Sequence, residues 1–97
     1  MAFIGAVINI RGVVQGVGFR YWCLRHAQNL GVNGTVGNRR DGSVQVIVEG
    51  ERALVEEMIR ELKIGPTYAH VTDLDIEWYE QPRAFKYFNV VLLDKND

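Results

Sequence analysis

The residue types best suited to chemistry stand in one short segment, residues 12–20, which reads Gly-Val-Val-Gln-Gly-Val-Gly-Phe-Arg. Glycine leaves its backbone N–H group unshielded and tolerates positive φ, so successive N–H groups can point at one anion. The arginine that follows carries a permanent charge and a fork of donors that suits phosphate oxygens. The segment is therefore predicted to bind an oxyanion through the following residues: Gln15, Gly16, Val17, Gly18, Phe19 and Arg20.

Taken alone, this segment leaves a second interpretation open. It lacks the Gly-Lys-Ser/Thr ending of a nucleotide P-loop, and its glycine spacing is not that of a dinucleotide fingerprint. A glycine-rich turn is also typical of a plain connection between a strand and a helix. In that case Arg20 would be a solvated residue of the first helical turn.

A second polar segment, residues 34–44, reads Gly-Thr-Val-Gly-Asn-Arg-Arg-Asp-Gly-Ser-Val. The amide of Asn38 can both donate and accept a hydrogen bond, which the orientation of a water molecule requires. Asparagine beside a turn, however, often bonds its own backbone instead. Arg39 and Arg40 form a basic pair that would either steer phosphate towards the site or lie solvated at a hairpin tip.

The two segments together resemble the acylphosphatase family, which carries a Gly-x-Val-Gln-Gly-Val-x-Phe-Arg loop and a later Gly-aromatic-Val-x-Asn-x-x-x-Gly-x-Val segment. The first pattern is matched throughout and the second in most positions. Two positions depart from it: Thr35 stands where the family usually has an aromatic residue, and Gly37 where a long side chain is usual. Shorter matches extend the resemblance over nearly the whole chain, at residues 30–32, 48–50, 65–66 and 88–90.

The resemblance implies hydrolysis of the carboxyl-phosphate bond of acyl phosphates to a carboxylate and inorganic phosphate, with no cofactor and no metal. On the family's pattern, Arg20 binds the phosphoryl group and Asn38 holds the attacking water. A carboxylate leaving group has a conjugate-acid pKa of about 4, so it departs without a protonating side chain. Lysine in place of Gly37 is expected to restore a cationic side chain beside Asn38 and so to lower KM at low salt.

Two other functions are compatible with parts of the sequence. A non-catalytic domain of the same family would keep the anion-binding loop to bind phosphate or a partner. A ferredoxin-like RNA-binding module is disfavoured, because the net charge is −1 and the pI is about 6.1, whereas nucleic-acid-binding domains usually exceed a pI of about 9. The predicted partners are therefore small acyl phosphates and inorganic phosphate, with no nucleic acid and no membrane.

The length of 97 residues predicts a single domain over residues 1–97, since domains commonly hold about 100 to 150 residues. Cys23 is the only cysteine, so no disulfide can form within the chain, and its helical position favours a role in the core. His26 and His70 are isolated and predict no metal site. Since no long apolar run and no leader pattern is found, we expect a cytoplasmic protein. We also expect a monomer.

Hydrophobic periodicity predicts the elements that must position these residues. Their order is that of an α+β ferredoxin-like split βαβ sandwich (βαββαβ), an antiparallel sheet with two helices packed on one face and one short extra strand. The loop after the first strand and the end of the second strand then lie at one end of the sheet, which brings Arg20 and Asn38 together. The predicted strands are residues 6–11, 32–38, 43–50, 70–78 and 85–93, the helices are residues 19–29 and 51–63, and residues 94–97 are a polar tail.

Overall fold

A computed structural model of the chain, which describes residues 3–93, contains five strands and two helices. The predicted tail at residues 94–97 lies outside the described residues. Both helices and the first four strands were predicted from the sequence to within three residues at either end. In chain order the elements are β1 (Phe3–Val13), α1 (Phe19–Leu30), β2 (Asn33–Asn38), β3 (Val44–Glu51), α2 (Arg52–Ile64), β4 (His70–Tyr79) and β5 (Phe88–Val90).

The strands form one sheet in the order β4-β1-β3-β2-β5. Each neighbouring pair among β1 to β4 is antiparallel, so the predicted ferredoxin-like α+β arrangement is confirmed. The extra strand differs from the prediction in two ways, because β5 has three residues instead of nine and runs parallel to β2. Its pairing with β2 begins at Gly34 opposite Phe88 and ends at Val36 opposite Val90.

The core lies between one face of the sheet and the two helices. Alternate residues of β1 and β3 point into it, as the period of a strand requires, and Ile8, Ile10, Val46 and Val48 are fully buried. Cys23 of α1 is also fully buried, and burial raises the pKa of its thiol far above the usual range. Because the thiolate is the nucleophilic form, Cys23 is a packing residue, as its helical position predicted.

The other face of the sheet is crossed by residues 80–87, which lead from β4 at one edge to β5 at the other. Glu49 of β3 is only 2% exposed, and its Oε2 accepts hydrogen bonds from the Tyr79 hydroxyl (2.7 Å) and the Arg83 backbone N–H (2.5 Å). Asn33 of β2 donates a hydrogen bond to the Phe85 carbonyl (3.1 Å). These bonds hold the crossing segment on the sheet and set the direction in which β5 approaches β2.

The hydroxyl of Tyr79 makes stability depend on pH in alkaline solution. Burial, and then the hydrogen bond to Glu49, raise the pKa of Tyr79 above its ordinary value of 10.0. The unfolded chain therefore loses this proton at a lower pH than the folded chain, so the free energy of unfolding is expected to fall above about pH 10. Guanidinium unfolding of Tyr79→Phe between about pH 9 and 11 should show a weaker decline than the wild type. Tyr87→Phe, which alters an exposed tyrosine, is the matched control, and equal slopes for all three proteins would contradict the prediction.

Candidate active site

The loop between β1 and α1 spans residues 14–18, and its conformation depends on two glycines. Gly16 and Gly18 have φ of 75° and 78°, in the left-handed region that other residues rarely adopt. Buried Val14 and Phe19 stand at the two ends of the loop and fasten it to the core. The loop is thus held at both ends, while its backbone turns sharply at the start of the helix.

The N–H groups of this loop have no partner within the described range. Among residues 3–93, the backbone N–H groups of residues 15–18 donate no hydrogen bond to another residue. Phe19 and Arg20 follow in the first turn of α1, where N–H groups lack a carbonyl four residues upstream in the helix. No side chain caps this end of α1, and its first turn holds no acidic residue. The N–H groups and the positive end of the helix dipole are therefore available to an anion.

Arg20 is half-buried at the second position of α1. Its guanidinium makes no hydrogen bond or ion pair with any residue between 3 and 93. By contrast, Arg11 on the neighbouring strand forms ion pairs with Asp73 and Asp75, so its charge is matched within the protein. Arg20 thus brings to the N–H groups of the loop a positive charge that no residue of the described range matches.

Asn38 is the last residue of β2. It lies opposite Val44 of β3, which in turn lies opposite Ile10 of β1, so Asn38 is at the sheet end from which the loop leaves β1. Its side chain shares the helix-covered face with fully buried Val44. The Asn38 Oδ1 atom is buried and has no hydrogen-bond partner among the described residues. A buried polar atom without a partner is uncommon, since it loses its hydration without compensation, and it points to a group that a ligand or water supplies.

Gln15 joins the loop to the turn after Asn38. Its side-chain Nε2 donates to the carbonyl oxygens of Arg39 (2.7 Å) and Ser43 (2.9 Å). The side-chain N–H groups are thereby used within the protein, and the backbone N–H is the donor that Gln15 has left for an anion. The sequence motif did not distinguish these two uses of the glutamine, because its partners lie more than twenty residues away.

The turn between β2 and β3 is closed by its own hydrogen bonds. The Arg39 N–H donates to the Ser43 carbonyl (2.8 Å) and the Gly42 N–H donates to the Arg39 carbonyl (3.1 Å). Asp41 accepts from the Ser43 hydroxyl (2.6 Å) and N–H (2.9 Å), and these bonds lower the pKa of its carboxyl group. A closed turn fixes the end of β2 and therefore the position of Asn38.

A glycine is required at residue 37, next to Asn38, because another segment of the chain passes close to the backbone there. The expectation that a lysine would be accommodated at this position is wrong. Residues 91–93 run along β2 after β5, and the Val91 N–H donates to the Val36 carbonyl (2.9 Å). A Cβ atom at residue 37 would lie 2.7 Å from both the Val91 carbonyl oxygen and Leu93 Cγ. The Val91 carbonyl oxygen and the Leu93 side chain therefore occupy the space that a longer side chain at residue 37 would need.

Gly37→Lys is therefore expected to destabilise the protein instead of improving catalysis. Overfilling a packed position commonly costs about 1 to 3 kcal/mol, and here one of the two nearest atoms, the Val91 carbonyl oxygen, belongs to the backbone. Urea unfolding should show a lower midpoint with an unchanged slope. Thr35→Lys, two residues back on the same face of β2, is the control. An unchanged or raised midpoint for Gly37→Lys would show that residues 91–93 move aside freely.

The two histidines lie on different elements, His26 on α1 and His70 on β4, where it is opposite Val13 of β1. The His26 ring packs on Trp22, with ring centroids 4.2 Å apart, and its Nδ1 is 3.9 Å from a carboxylate oxygen of Glu61. His70 begins β4. Within residues 3–93, no group of three or more His, Cys, Asp or Glu side chains is placed to hold a metal ion. Over the same range, no helix has both the length and the apolar character needed to cross a membrane.

Fold and site together define a class of protein. It is an α+β domain of ferredoxin-like topology. At one end of its sheet it presents backbone N–H groups, an arginine and a buried asparagine oxygen that have no partner within residues 3–93. The N–H groups and the arginine are donors that suit an oxyanion, and the asparagine oxygen can accept a hydrogen bond from a water molecule.

Comparisons with known proteins narrow this class to one family. The acylphosphatase family model matches residues 6–90. An acylphosphatase of Moorella thermoacetica is 42% identical over 90 residues, covering 93% of this chain and 96% of that protein. An acylphosphatase of Nitrobacter winogradskyi is 52% identical over 77 residues, covering 79% of this chain and 74% of that protein. The crystal structure of acylphosphatase from Bacillus subtilis superposes with a TM-score of 0.89 at 31% identity, covering 91% of this chain and 98% of that one.

The chain belongs to the acylphosphatase family. Its function is therefore the hydrolysis of acyl phosphates to a carboxylate and inorganic phosphate, as the sequence motifs predicted.

Proposed function

We propose that hydrolysis takes place at the loop between β1 and α1, where Arg20 and the backbone N–H groups of residues 15–20 bind the phosphoryl group and Asn38 holds the attacking water. One observation carries this proposal. The loop N–H groups, the Arg20 guanidinium and the buried Asn38 Oδ1 all lack a partner among residues 3–93.

Hydrolysis of an acyl phosphate depends more on the positions and charges of the groups that bind it than on acid–base catalysis. The water oxygen attacks phosphorus in line with the leaving group, the bond between phosphorus and the acyl oxygen breaks, and the carboxylate leaves with the bonding electrons. The water protons pass to the product phosphate and solvent. In a loose transition state the charge is spread over the phosphoryl oxygens, so donors fixed before the reaction stabilise it. The rigid loop and the fork of Arg20 are suited to this task.

Asn38 is proposed to orient the water. Its Oδ1 can accept a hydrogen bond from the water while the amide N–H₂ donates to a phosphoryl oxygen or to the protein. The closed turn after β2 and the bonds from Gln15 fix the backbone that follows Asn38, from which this side chain projects. An oriented water loses less entropy on reaching the transition state, and this lowers the barrier.

Release of phosphate from benzoyl phosphate tests the proposal, with Arg20→Ala as the variant. Turnover that disappears in this variant while the protein stays folded supports catalysis at the loop. If the wild type binds phosphate, measured by NMR titration of backbone amides, without turnover, the alternative of a non-catalytic phosphate-binding or partner-binding domain is correct. Salt-dependent binding of RNA would instead favour the RNA-binding alternative.

Activity is expected to be insensitive to EDTA. The phosphate charge is offset by Arg20 and by backbone N–H groups, so no divalent cation is needed to neutralise it. Phosphate release is measured after dialysis against EDTA and after dialysis against buffer alone, which is the control. Loss of activity that added Mg²⁺ restores would show that the charge is offset by a metal ion.

The chain is further proposed to act as a single domain, as a monomer, in the cytoplasm. The described residues share one hydrophobic core, which supports a single domain. Cys23 is buried in that core, so its thiol is not offered to a partner chain for disulfide formation. Light scattering coupled to size-exclusion chromatography tests the monomer, and cell fractionation tests the location.

A further inference from the structure

A cleft lies beside the anion-binding loop, between the exposed face of α1 and the loop that follows α2. Its volume is about 430 Å³, and its lining includes Val17 and Gly18 of the anion-binding loop. The remaining walls are formed by Tyr21, Trp22 and Arg25 on α1 and by residues 65–68 after α2. We infer that this acyl cleft holds the acyl part of the substrate, and that Arg25 selects acyl groups that end in a second anion.

The position of the cleft follows from the geometry of α1. Tyr21, Trp22 and Arg25 stand three, four and seven residues after Gly18, so the four residues form one stripe along the helix. The stripe begins at the loop proposed to hold the phosphoryl group and ends seven residues later, about 10 Å along the helix axis at 1.5 Å per residue. A substrate bound by its phosphoryl group in the loop can therefore extend along this stripe. This inference rests on the proposed function, because it takes the phosphoryl group to be bound there.

The walls of the cleft favour a flat apolar body. Tyr21 and Tyr68 are 59% and 82% exposed, so most of the surface of their rings is not packed against the core. Trp22 is packed on Phe19, with ring centroids 5.5 Å apart, and forms a fixed wall. Aromatic side chains combine large apolar surface with few rotatable bonds, which suits them to contact with a ligand ring.

The charge in the cleft favours an anion at its far end. Arg25 is exposed and makes no hydrogen bond or ion pair with another residue between 3 and 93. Among residues 3–93, no acidic side chain lines the cleft, so the positive charge of Arg25 is not offset by a described residue there. A carboxylate on the distal end of an aromatic acyl group would pair with this guanidinium. The preferred substrate class is therefore an aromatic acyl phosphate with a second carboxylate.

The experiment compares kcat/KM for acetyl phosphate, benzoyl phosphate and 4-carboxybenzoyl phosphate. We expect the wild type to prefer 4-carboxybenzoyl phosphate at low salt. Arg25→Gln should lower kcat/KM for this substrate mainly by raising KM. The expected change is only about three- to fivefold, because an exposed ion pair contributes little binding energy. The kcat/KM for acetyl phosphate should not change. Tyr68→Ala should lower the values for both aromatic substrates about three- to tenfold. Arg60→Gln, which alters an exposed arginine of α2 paired with Glu57, is the control and should change none of them.

Equal effects of Arg25→Gln on all three substrates, or no effect on any, would overturn the assignment of the cleft. Turnover of acetyl phosphate by the wild type separates this result from failure of the proposed function. If acetyl phosphate is hydrolysed but the aromatic substrates show no discrimination, only the acyl cleft is wrong. If the wild type hydrolyses none of the three, the proposed function is wrong, and so is the assignment of the acyl cleft.

Discussion

Replacing Arg20 by alanine is expected to reduce kcat/KM for benzoyl phosphate by about 10³ to 10⁵, which corresponds to about 4 to 7 kcal/mol of lost transition-state stabilisation. An arginine positioned on a transferring phosphoryl group has effects of this size, because it stabilises the charge on the phosphoryl oxygens in a site from which water is partly excluded. The stability of the fold should not change. The Arg20 guanidinium has no partner among residues 3–93, so its removal leaves no group of the described protein unpaired.

The measurement combines phosphate release with thermal unfolding followed by circular dichroism. Arg60→Ala is the matched control, since Arg60 is exposed on α2 and pairs with Glu57. Arg20→Lys adds a second comparison, because it keeps the charge but loses the bidentate fork, and it should recover only part of the activity. A folded Arg20→Ala protein that keeps more than a tenth of wild-type activity would show that Arg20 does not bind the phosphoryl group.

Replacing Asn38 by alanine is expected to lower kcat by about 10² to 10³, in line with the loss of one preorganised polar group. Phosphate affinity should change little, since the lost amide is proposed to place the water and not the substrate. Stability should also be retained, because the Asn38 Oδ1 has no partner to lose among the described residues. Steady-state kinetics, phosphate titration and urea unfolding of one preparation measure all three properties.

Asn33, at the other end of the same strand, provides the control for Asn38. Its side chain donates to the Phe85 carbonyl on the face crossed by residues 80–87. Asn33→Ala should therefore lower stability by about 1 kcal/mol and leave kcat unchanged. A large loss of phosphate affinity at unchanged kcat in Asn38→Ala would contradict the proposed division between Arg20 and Asn38.

The features that were predictable from the sequence depend on residues close together in the chain. Gly31 ends α1, and its N–H donates to the Ala27 carbonyl (2.9 Å) as a helix-ending glycine is expected to do. The alternation of Val44, Val46 and Val48 is typical of a strand with one buried face, and all three side chains are fully buried in β3. The glycines of the anion-binding loop were recognisable because their positive φ is a property of each residue and its neighbours.

The extra strand was predicted less well. Its apolar pattern suggested nine residues, but only three pair with β2. Where β5 pairs depends on the crossing segment, which is anchored by Glu49 and Asn33 from strands more than thirty residues earlier. Periodicity within residues 85–93 contains no information about these bonds.

The sequence by itself determined the family, the ferredoxin-like order of elements and the identity of Arg20 and Asn38 as the residues to test. These follow from local backbone preferences, hydrophobic periodicity and the two motifs. Only the tertiary structure decided that the Gln15 side chain bonds the turn after β2, that Gly37 makes room for residues 91–93, and that the Asn38 oxygen is buried without a partner in the described part of the chain. Each of these depends on atoms that the fold brings together from distant parts of the chain. Contacts of this kind form only in the folded protein and leave no local pattern in the sequence.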